Sequence, residues 1–323
     1  MSRSDSAVSV RGVTKTFSQW QRDNSKKNIL KNLLKPEKRA ITALDGVSFE
    51  IAKGEFVAYA GPNGAGKSTT MKLLSGMLLP TAGEISVLGM SPQKQRRAIM
   101  KRLGVLFGNR TELWWDHPVI QSFEWKKVVW DIPDDLYREN LAMVTDLLDI
   151  GGLLKSFARE LSLGQRMRAD LAMLLLHSPT LILLDEPTLG LDVMAKRRMI
   201  GFLKRLNEQN GTTIVVTSHD MDDLEEMARR ILLISRGKIA FDGGFSDLRR
   251  ELHCVKKAVI HFNDASRKEL EYQDTNRLLR QLAQLDNVAD VSFTQTSLEE
   301  GLANLFAAWN QENTERLPPA PAP

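Results

Sequence analysis

The stretch "EFVAYAGPNGAGKST" (Glu55–Thr69) sets a short apolar run directly before a glycine-rich turn that closes on a lysine and two hydroxyls. Gly61, Gly66, Lys67 and Ser68 fall at the spacing G-x-x-x-x-G-K-[ST]. Glycines let a backbone curl so that its N–H groups converge on phosphate oxygens. A helix opening at Lys67 adds the partial positive charge of its N-terminus. The turn Gly61, Pro62, Asn63, Gly64, Ala65, Gly66, Lys67, Ser68 and Thr69 is therefore the candidate nucleotide-binding loop. Lys67 is placed to reach the β- and γ-phosphates, and the Ser68 hydroxyl to bind Mg²⁺. The strand-loop-helix context weighs against a tight turn with no ligand.

A second apolar run, "LILLDEP" (Leu181–Pro187), ends in two acids. Beside a phosphate loop, an acid at the carboxyl end of a neighbouring strand faces the metal, so Asp185 is a candidate Mg²⁺ ligand. Glu186, one residue on, is placed to orient or deprotonate an attacking water. The bland alternative for either acid is a turn residue before Pro187. "TIVVTSHD" ends a third run in His219, whose imidazole can hold that water and Glu186 in line. His117, His177, His253 and His261 read as ordinary loop residues.

The longer stretch "ELSLGQRMRADLAMLLLHSPTLILLDEPT" (Glu160–Thr188) carries a family resemblance. "LSLGQ" resembles the LSGGQ signature of ABC-type ATPases, with Leu163 in place of the first glycine. "LGLD" (Leu189–Asp192) is similar to their D-loop, His219 to their switch histidine, and Phe17 to the aromatic that stacks on adenine. The order agrees from about Val8 to Gly243. The resemblance implies an α/β fold: a P-loop NTPase (RecA-like) core with an antiparallel β subdomain and a helical signature subdomain, plus a small C-terminal α+β appendage. Ser162 and Gly164 sit at a helix N-terminus, a ready anion site. By resemblance they act with Gln165 and Asp192 on the nucleotide of a second ATPase domain, in a head-to-tail dimer around two ATP molecules. A homodimer is the simplest form. Asn109 stands where the family carries the Q-loop glutamine. It keeps the amide but is shorter by one CH₂, so its metal contact is direct, through water, or lost.

The remaining features place the chain within that family. The expected division is 1–245 for the nucleotide-binding domain, with a helical part at about 91–165 and a basic insertion at about 20–40. An accessory or dimerisation domain at 246–316 and a disordered tail at 317–323 follow. The insertion holds Arg22, Lys26, Lys27, Lys31, Lys35, Lys38 and Arg39 against Asp23 and Glu37. Ile29, Leu30, Leu33 and Leu34 fall at helical spacing, which predicts a short basic amphipathic helix. It is either a solvated surface insertion or a contact for anionic headgroups or a membrane partner. Appendage and insertion together resemble ATPase subunits of ABC-2-type exporters, which pair with separate integral-membrane permease subunits at the cytoplasmic face of the membrane. Trp114 and Trp115 in "GVLFGNRTELWWDHP" then mark the coupling surface for such a permease, unless both rings pack inside the helical part.

Composition excludes several other classes. A net charge of +4 is too weak to suggest a nucleic-acid partner, and no apolar run is long enough to cross a membrane. The single cysteine, Cys254, permits no internal disulfide and reads as a small buried group. The rivals are a soluble ABC ATPase of translation or repair, an unrelated P-loop enzyme such as a kinase, and a nucleotide switch without turnover. A translation type carries two cassettes and a repair type long coiled coils, and neither is visible here. A kinase binds its acceptor where Glu186 holds water.

Overall fold

The computed structural model describes residues 6–20, 38–107, 111–252, 256–264, 266–272, 275–295, 297–303 and 305. The chain divides into two units, Met1–His219 with Asp223–Asp242, and Gly243–Pro323 with Asp220–Asp222. The division falls three residues before the expected boundary at 245.

The first unit opens with an antiparallel hairpin, β1 (Ser6–Trp20) and β2 (Lys38–Ala52), paired from Ser6↔Ala52 to Trp20↔Lys38. β1 runs well past the alternating "AVSVRGV" because register shifts between Val10 and Val13 and again up to Thr16 change the phase of the alternation. Lys38 and Arg39, counted above with the basic helix, belong instead to β2, paired with Trp20 and Gln19. The rest of that segment, Ile29 to Leu34 included, lies outside the described residues.

β3 (Phe56–Ala60) leads through the glycine turn into α1 (Lys67–Leu74). β4 (Ala82–Val87) returns to the other edge of β1, giving the antiparallel order β2-β1-β4. After α2 (Arg96–Met100) and β5 (Leu103–Phe107) come α3 (Val119–Trp130) and α4 (Asp134–Leu147). Both helices start after a proline, and α4 carries Asp134 and Asp135 in its first turn, where acids oppose the helix dipole. α5 (Leu163–Leu175) follows, then β6 (Leu181–Asp185), α6 (Val193–Asn210), β7 (Thr213–Thr217), α7 (Met221–Met227), β8 (Arg230–Ser235) and β9 (Lys238–Gly244).

Six strands form the central sheet in the order β5-β6-β7-β3-β8-β9, with β5 through β8 parallel. β3 and β7 are buried along their whole length, as continuous apolar runs in a covered parallel sheet require. β8 and β9 turn over Arg236 and Gly237, both at positive φ, the geometry of a tight two-residue hairpin. The carboxyl ends of β6, β7 and β3 therefore lie side by side, and in an open α/β sheet ligands bind at such ends.

The second unit holds α8 (Phe245–Glu251), then β10 (Lys256–Phe262), β11 (Arg267–Tyr272), α9 (Thr275–Leu282) and β12 (Val288–Gln295). Its sheet is antiparallel in the order β11-β10-β12, with Ala258 and Ile260 on the buried face and Leu278 from α9 also buried. Residues 298–303 are helical. Cys254 and the tail 317–323 lie outside the described residues.

Candidate nucleotide site

The glycine turn between β3 and α1 is dictated by its surroundings. Gly66 has φ +116°, and a Cβ there would sit 2.6 Å from Leu44 Cδ2 and 2.8 Å from the Ala43 carbonyl oxygen. At Gly61 a Cβ would fall 2.1 Å from the Ile234 carbonyl oxygen. Side chains are thus excluded where the turn rests on β2 and β8. Lys67 is 7% exposed, and its Nζ donates to the carbonyl oxygens of Gly61 (2.6 Å) and Pro62 (3.3 Å). Burial pushes its pKa down, while the carboxylates of Glu186 and Asp185 push it back up. Behind the turn, the buried Tyr59 hydroxyl meets Thr70 Oγ1 at 3.0 Å, fixing α1 to β3.

One cavity is lined by Ala43, Asn63, Gly64, Gly66, Lys67, Ser68, Thr69, Asp185, Glu186 and His219. It brings together the loop and both acids with the histidine. Gly61, Pro62 and Ala65 belong to the turn but do not line it, and the Ala65 methyl is part of the core. Thr217, which sequence reasoning missed, organises the acids. Its Oγ1 donates to Asp185 Oδ1 at 2.7 Å, and the Glu186 N–H is shared between Thr217 Oγ1 (3.1 Å) and the Thr217 carbonyl (3.2 Å). A threonine closing a buried strand has no sequence signature apart from its pairing with Asp185.

Glu186 is held at φ +58°, a left-handed conformation a non-glycine residue rarely takes. Its Oε2 accepts the His219 backbone N–H at 3.2 Å. The His219 Nε2 lies 3.2 Å from Oε1 at ion-pair distance but out of hydrogen-bond alignment. Oε1 is thereby buried and without a hydrogen-bond partner among the described residues. Burial raises the Glu186 pKa, against the opposing pull of His219 and Lys67. A buried acceptor without a partner beside a phosphate cradle fits a site for a water molecule and a charged ligand. The Ser68 hydroxyl and the Asp185 carboxylate are hard oxygen donors, the type that holds Mg²⁺ together with phosphate oxygens and water. Asn109 lies outside the described residues.

The other candidates lie around this cavity without lining it. Phe17 on β1 is paired with Ile41, two residues from Ala43, and the Lys15 ammonium stands 5.0 Å above its ring. Ser162 caps α5: its Oγ accepts the Gln165 N–H, and the Gln165 side chain accepts the Ser162 N–H. Asp192 caps α6, with Oδ1 accepting from Ala195 N at 2.8 Å. Leu163 packs on the D-loop, where a Cβ at Gly190 would come within 2.5 Å of Leu163 Cδ2. None of Ser162, Gly164, Gln165 and Asp192 borders the cavity. Trp114 and Trp115 are 38% and 48% exposed. Trp114 meets Trp125 at 5.5 Å and His117 at 5.3 Å, and the Arg166 guanidinium lies 4.8 Å from the Trp115 ring. Among the described residues, no helix is long and apolar enough to cross a membrane.

The chain is similar to known proteins. The ABC transporter family model matches residues 44–189. An ABC transporter ATP-binding protein of Clostridium acetobutylicum is 31% identical over 223 residues, 68% of this chain and 78% of that one. A methionine import ATP-binding protein of Carboxydothermus hydrogenoformans is 30% identical over 249 residues, 75% of this chain and 73% of that one. Among solved structures, an ATP-binding cassette captured as a dimer in a post-hydrolysis state with ADP and Pi superposes with a TM-score of 0.61 at 25% identity, covering 73% of this chain and 98% of that one. The chain belongs to the ABC transporter ATP-binding proteins and is an ATP-binding, ATP-hydrolysing subunit of that family.

Proposed function

We propose that this chain powers an ABC-2-type export transporter as one half of a head-to-tail dimer, held at the cytoplasmic face of the membrane by separate permease subunits. One observation carries the dimer. The cavity collects Lys67, Ser68, Asp185, Glu186 and His219, and none of the signature residues borders it. The N-terminus of α5, capped by Ser162, presents backbone N–H groups that suit an anion. A second copy supplying Ser162 and Gly164 completes the site, and the γ-phosphate then bridges both chains.

In that complex the N–H groups of the turn and the Lys67 ammonium neutralise the β- and γ-phosphates. Mg²⁺, when bound, would be held by Ser68 and Asp185, with Asn109 as a candidate amide donor directly or through water, and would supply charge neutralisation to the phosphates. Glu186 Oε1 accepts a proton from water as the water oxygen bonds to the γ-phosphorus and the bond to the ADP oxygen breaks. His219 orients Glu186 through its backbone N–H and faces the γ-phosphate with its ring. Phe17 stacks on the adenine. Loss of the γ-phosphate removes the bridge, so each turnover opens and closes the pair.

The exposed Trp114 and Trp115 support a coupling surface, since partly buried aromatic clusters anchor protein interfaces. The test is a mild-detergent pull-down from native membranes, comparing wild type with a Trp114→Ala, Trp115→Ala double variant. Wild type should retain a polytopic membrane protein that the variant loses. Recovery of soluble partners only would overturn the transporter assignment. Because one relative is named for import, the same experiment checks direction: a co-purifying soluble substrate-binding protein would replace export with import.

A further inference from the structure

The helix that begins with the signature turn also grips the tryptophan segment. Asp170 lies two turns into α5 and is 7% exposed. Its Oδ1 accepts the Thr111 hydroxyl at 2.9 Å and the Glu112 backbone N–H at 3.1 Å. Thr111 Oγ1 in turn accepts the Leu113 N–H at 3.1 Å, so a single buried carboxylate organises three successive residues. One turn earlier, on the same face of α5, the Arg166 guanidinium covers the Trp115 ring at 4.8 Å. The Arg166 Nε is buried with no hydrogen-bond partner among the described residues, and the guanidinium rests on the Trp115 ring with the Asp170 carboxylate as a nearby countercharge. On its other side the segment is tied to α3. Ser122 Oγ, fully buried, accepts the Trp114 N–H at 2.9 Å, and the buried Lys126 ammonium pairs with Glu112 at 3.0 Å.

We infer that Asp170 and Arg166 are positioning residues that fasten Thr111–Trp115 to the signature helix, so that a displacement of the signature turn is delivered to the tryptophan surface. The physical basis is an asymmetry in the cost of release. Pulling the segment off α5 strands a buried carboxylate without donors, which costs far more than breaking a solvated contact. The carboxylate is therefore a fastener, and the segment travels with the helix. This rests on the reading that nucleotide acts on Ser162 and Gly164 in trans.

The experiment is hydrogen–deuterium exchange on the full chain in the Glu186→Gln background, with and without ATP and Mg²⁺. Two peptides are followed, one over residues 161–165 and one over 111–117. In the Asp170-intact chain, ATP should slow exchange in both by about tenfold, the scale of one charge-assisted hydrogen bond. With Asp170→Ala, 161–165 should keep its protection while 111–117 loses it. Asp170→Asn, whose amide oxygen still accepts, should restore the response at 111–117. Thr111→Val removes the hydroxyl bond from the segment's side while the Glu112 N–H remains, and should weaken the response at 111–117 even if Asp170→Ala folds poorly. If 111–117 responds undiminished in both Asp170→Ala and Thr111→Val, the positioning role is overturned. If ATP fails to protect 161–165 in the Asp170-intact chain, the sandwich reading falls, and this inference with it.

Discussion

At the scale of single residues, the site turns on how Glu186 is held. Its backbone is left-handed, its N–H is shared by two Thr217 oxygens, and His219 takes Oε2, so Oε1 is the atom left to act. Glu186→Gln should lower ATP turnover by about 10²–10⁴-fold, the usual size of a general-base contribution. It should leave ATP binding intact and trap an ATP-dependent dimer on size exclusion; a monomer under those conditions would count against the composite site. Because burial raises the Glu186 pKa, a Glu186 carboxylate acting as base would be lost at a higher pH than an ordinary glutamate's. The acid limb of the wild-type pH–rate profile should accordingly lie above the usual carboxylate range. Lys67→Ala removes the buried cation from the cradle and should abolish nucleotide binding, measured by calorimetry; binding retained at micromolar ATP would refute the role of the loop. That Lys67 and Ser68 at the start of α1 share a cavity with Asp185, Glu186 and His219 beside the strand ends was legible in sequence, because phosphate chemistry calls for those residue types there. Thr217 was not, since its role depends on which strand lies beside β6, a fact of sheet order.

Elements differ in legibility for the same reason. β3 and β7 announce themselves as unbroken apolar runs because both faces of the central sheet are covered. β11, "RKELEY", is an edge strand whose charged side chains face outward, and its alternation leaves only Leu270 and Tyr272 partly buried. α5 was recognised by its first turn, but the use of Asp170 emerges only from the loop that lies on it. That helix and its surroundings carry a pair of opposed titrations. Burial pushes the Asp170 pKa up to about 6 from 3.8, aided by Glu112 and opposed by Arg166 and by the bonds from Thr111 and Glu112. The folded chain therefore holds a proton between pH 4 and 6 that the unfolded chain has released, and stability falls as pH rises through that window. His177 behaves in the opposite way. Burial and the nearby Lys126 cation push its pKa down to about 4 from 6.5, against the pull of the Leu103 carbonyl at 3.1 Å. Its contribution is full above pH 6.5 and is lost as pH falls toward 4. The two slopes oppose one another. Asp170→Asn should stabilise the protein by about 1–3 kcal/mol at pH 7.5, with the gain vanishing near pH 4. It should also leave the His177 acid lability standing alone. Thermal melts of both proteins from pH 4 to 8 check the sign: a gain that grows toward acid pH would show that Asp170 is not destabilised by its burial.

At the scale of the whole molecule, charge and topology converge on one end of a hairpin. The segment from Arg22 to Arg39 has seven cationic against two acidic side chains, an excess of five, while the whole chain carries +4. The remainder is thus close to neutral, and the basic character sits in one insertion, with five cations against two acids, and in Lys38 and Arg39 at the start of β2. That insertion leaves and rejoins the fold at a paired position, Trp20↔Lys38, the last rung of the β1–β2 ladder. Replacing residues 21–37 with an Asn-Gly turn should therefore close the hairpin without strain, since that pair suits a two-residue connection. The shortened chain should melt at close to the wild-type temperature and keep its ATPase activity. What it should lose is affinity for an anionic surface, since each lysine or arginine near such a surface contributes about 1 kcal/mol at moderate ionic strength. Co-sedimentation with phosphatidylglycerol vesicles at low salt should fall by tenfold or more relative to the full chain, and the full chain's binding should itself collapse at high salt, where the attraction is screened. Equal binding by both proteins would return the insertion to a solvated surface segment. Loss of ATPase activity in the shortened chain would instead show that the insertion supports the hairpin carrying Phe17 and Ala43 beside the nucleotide cradle.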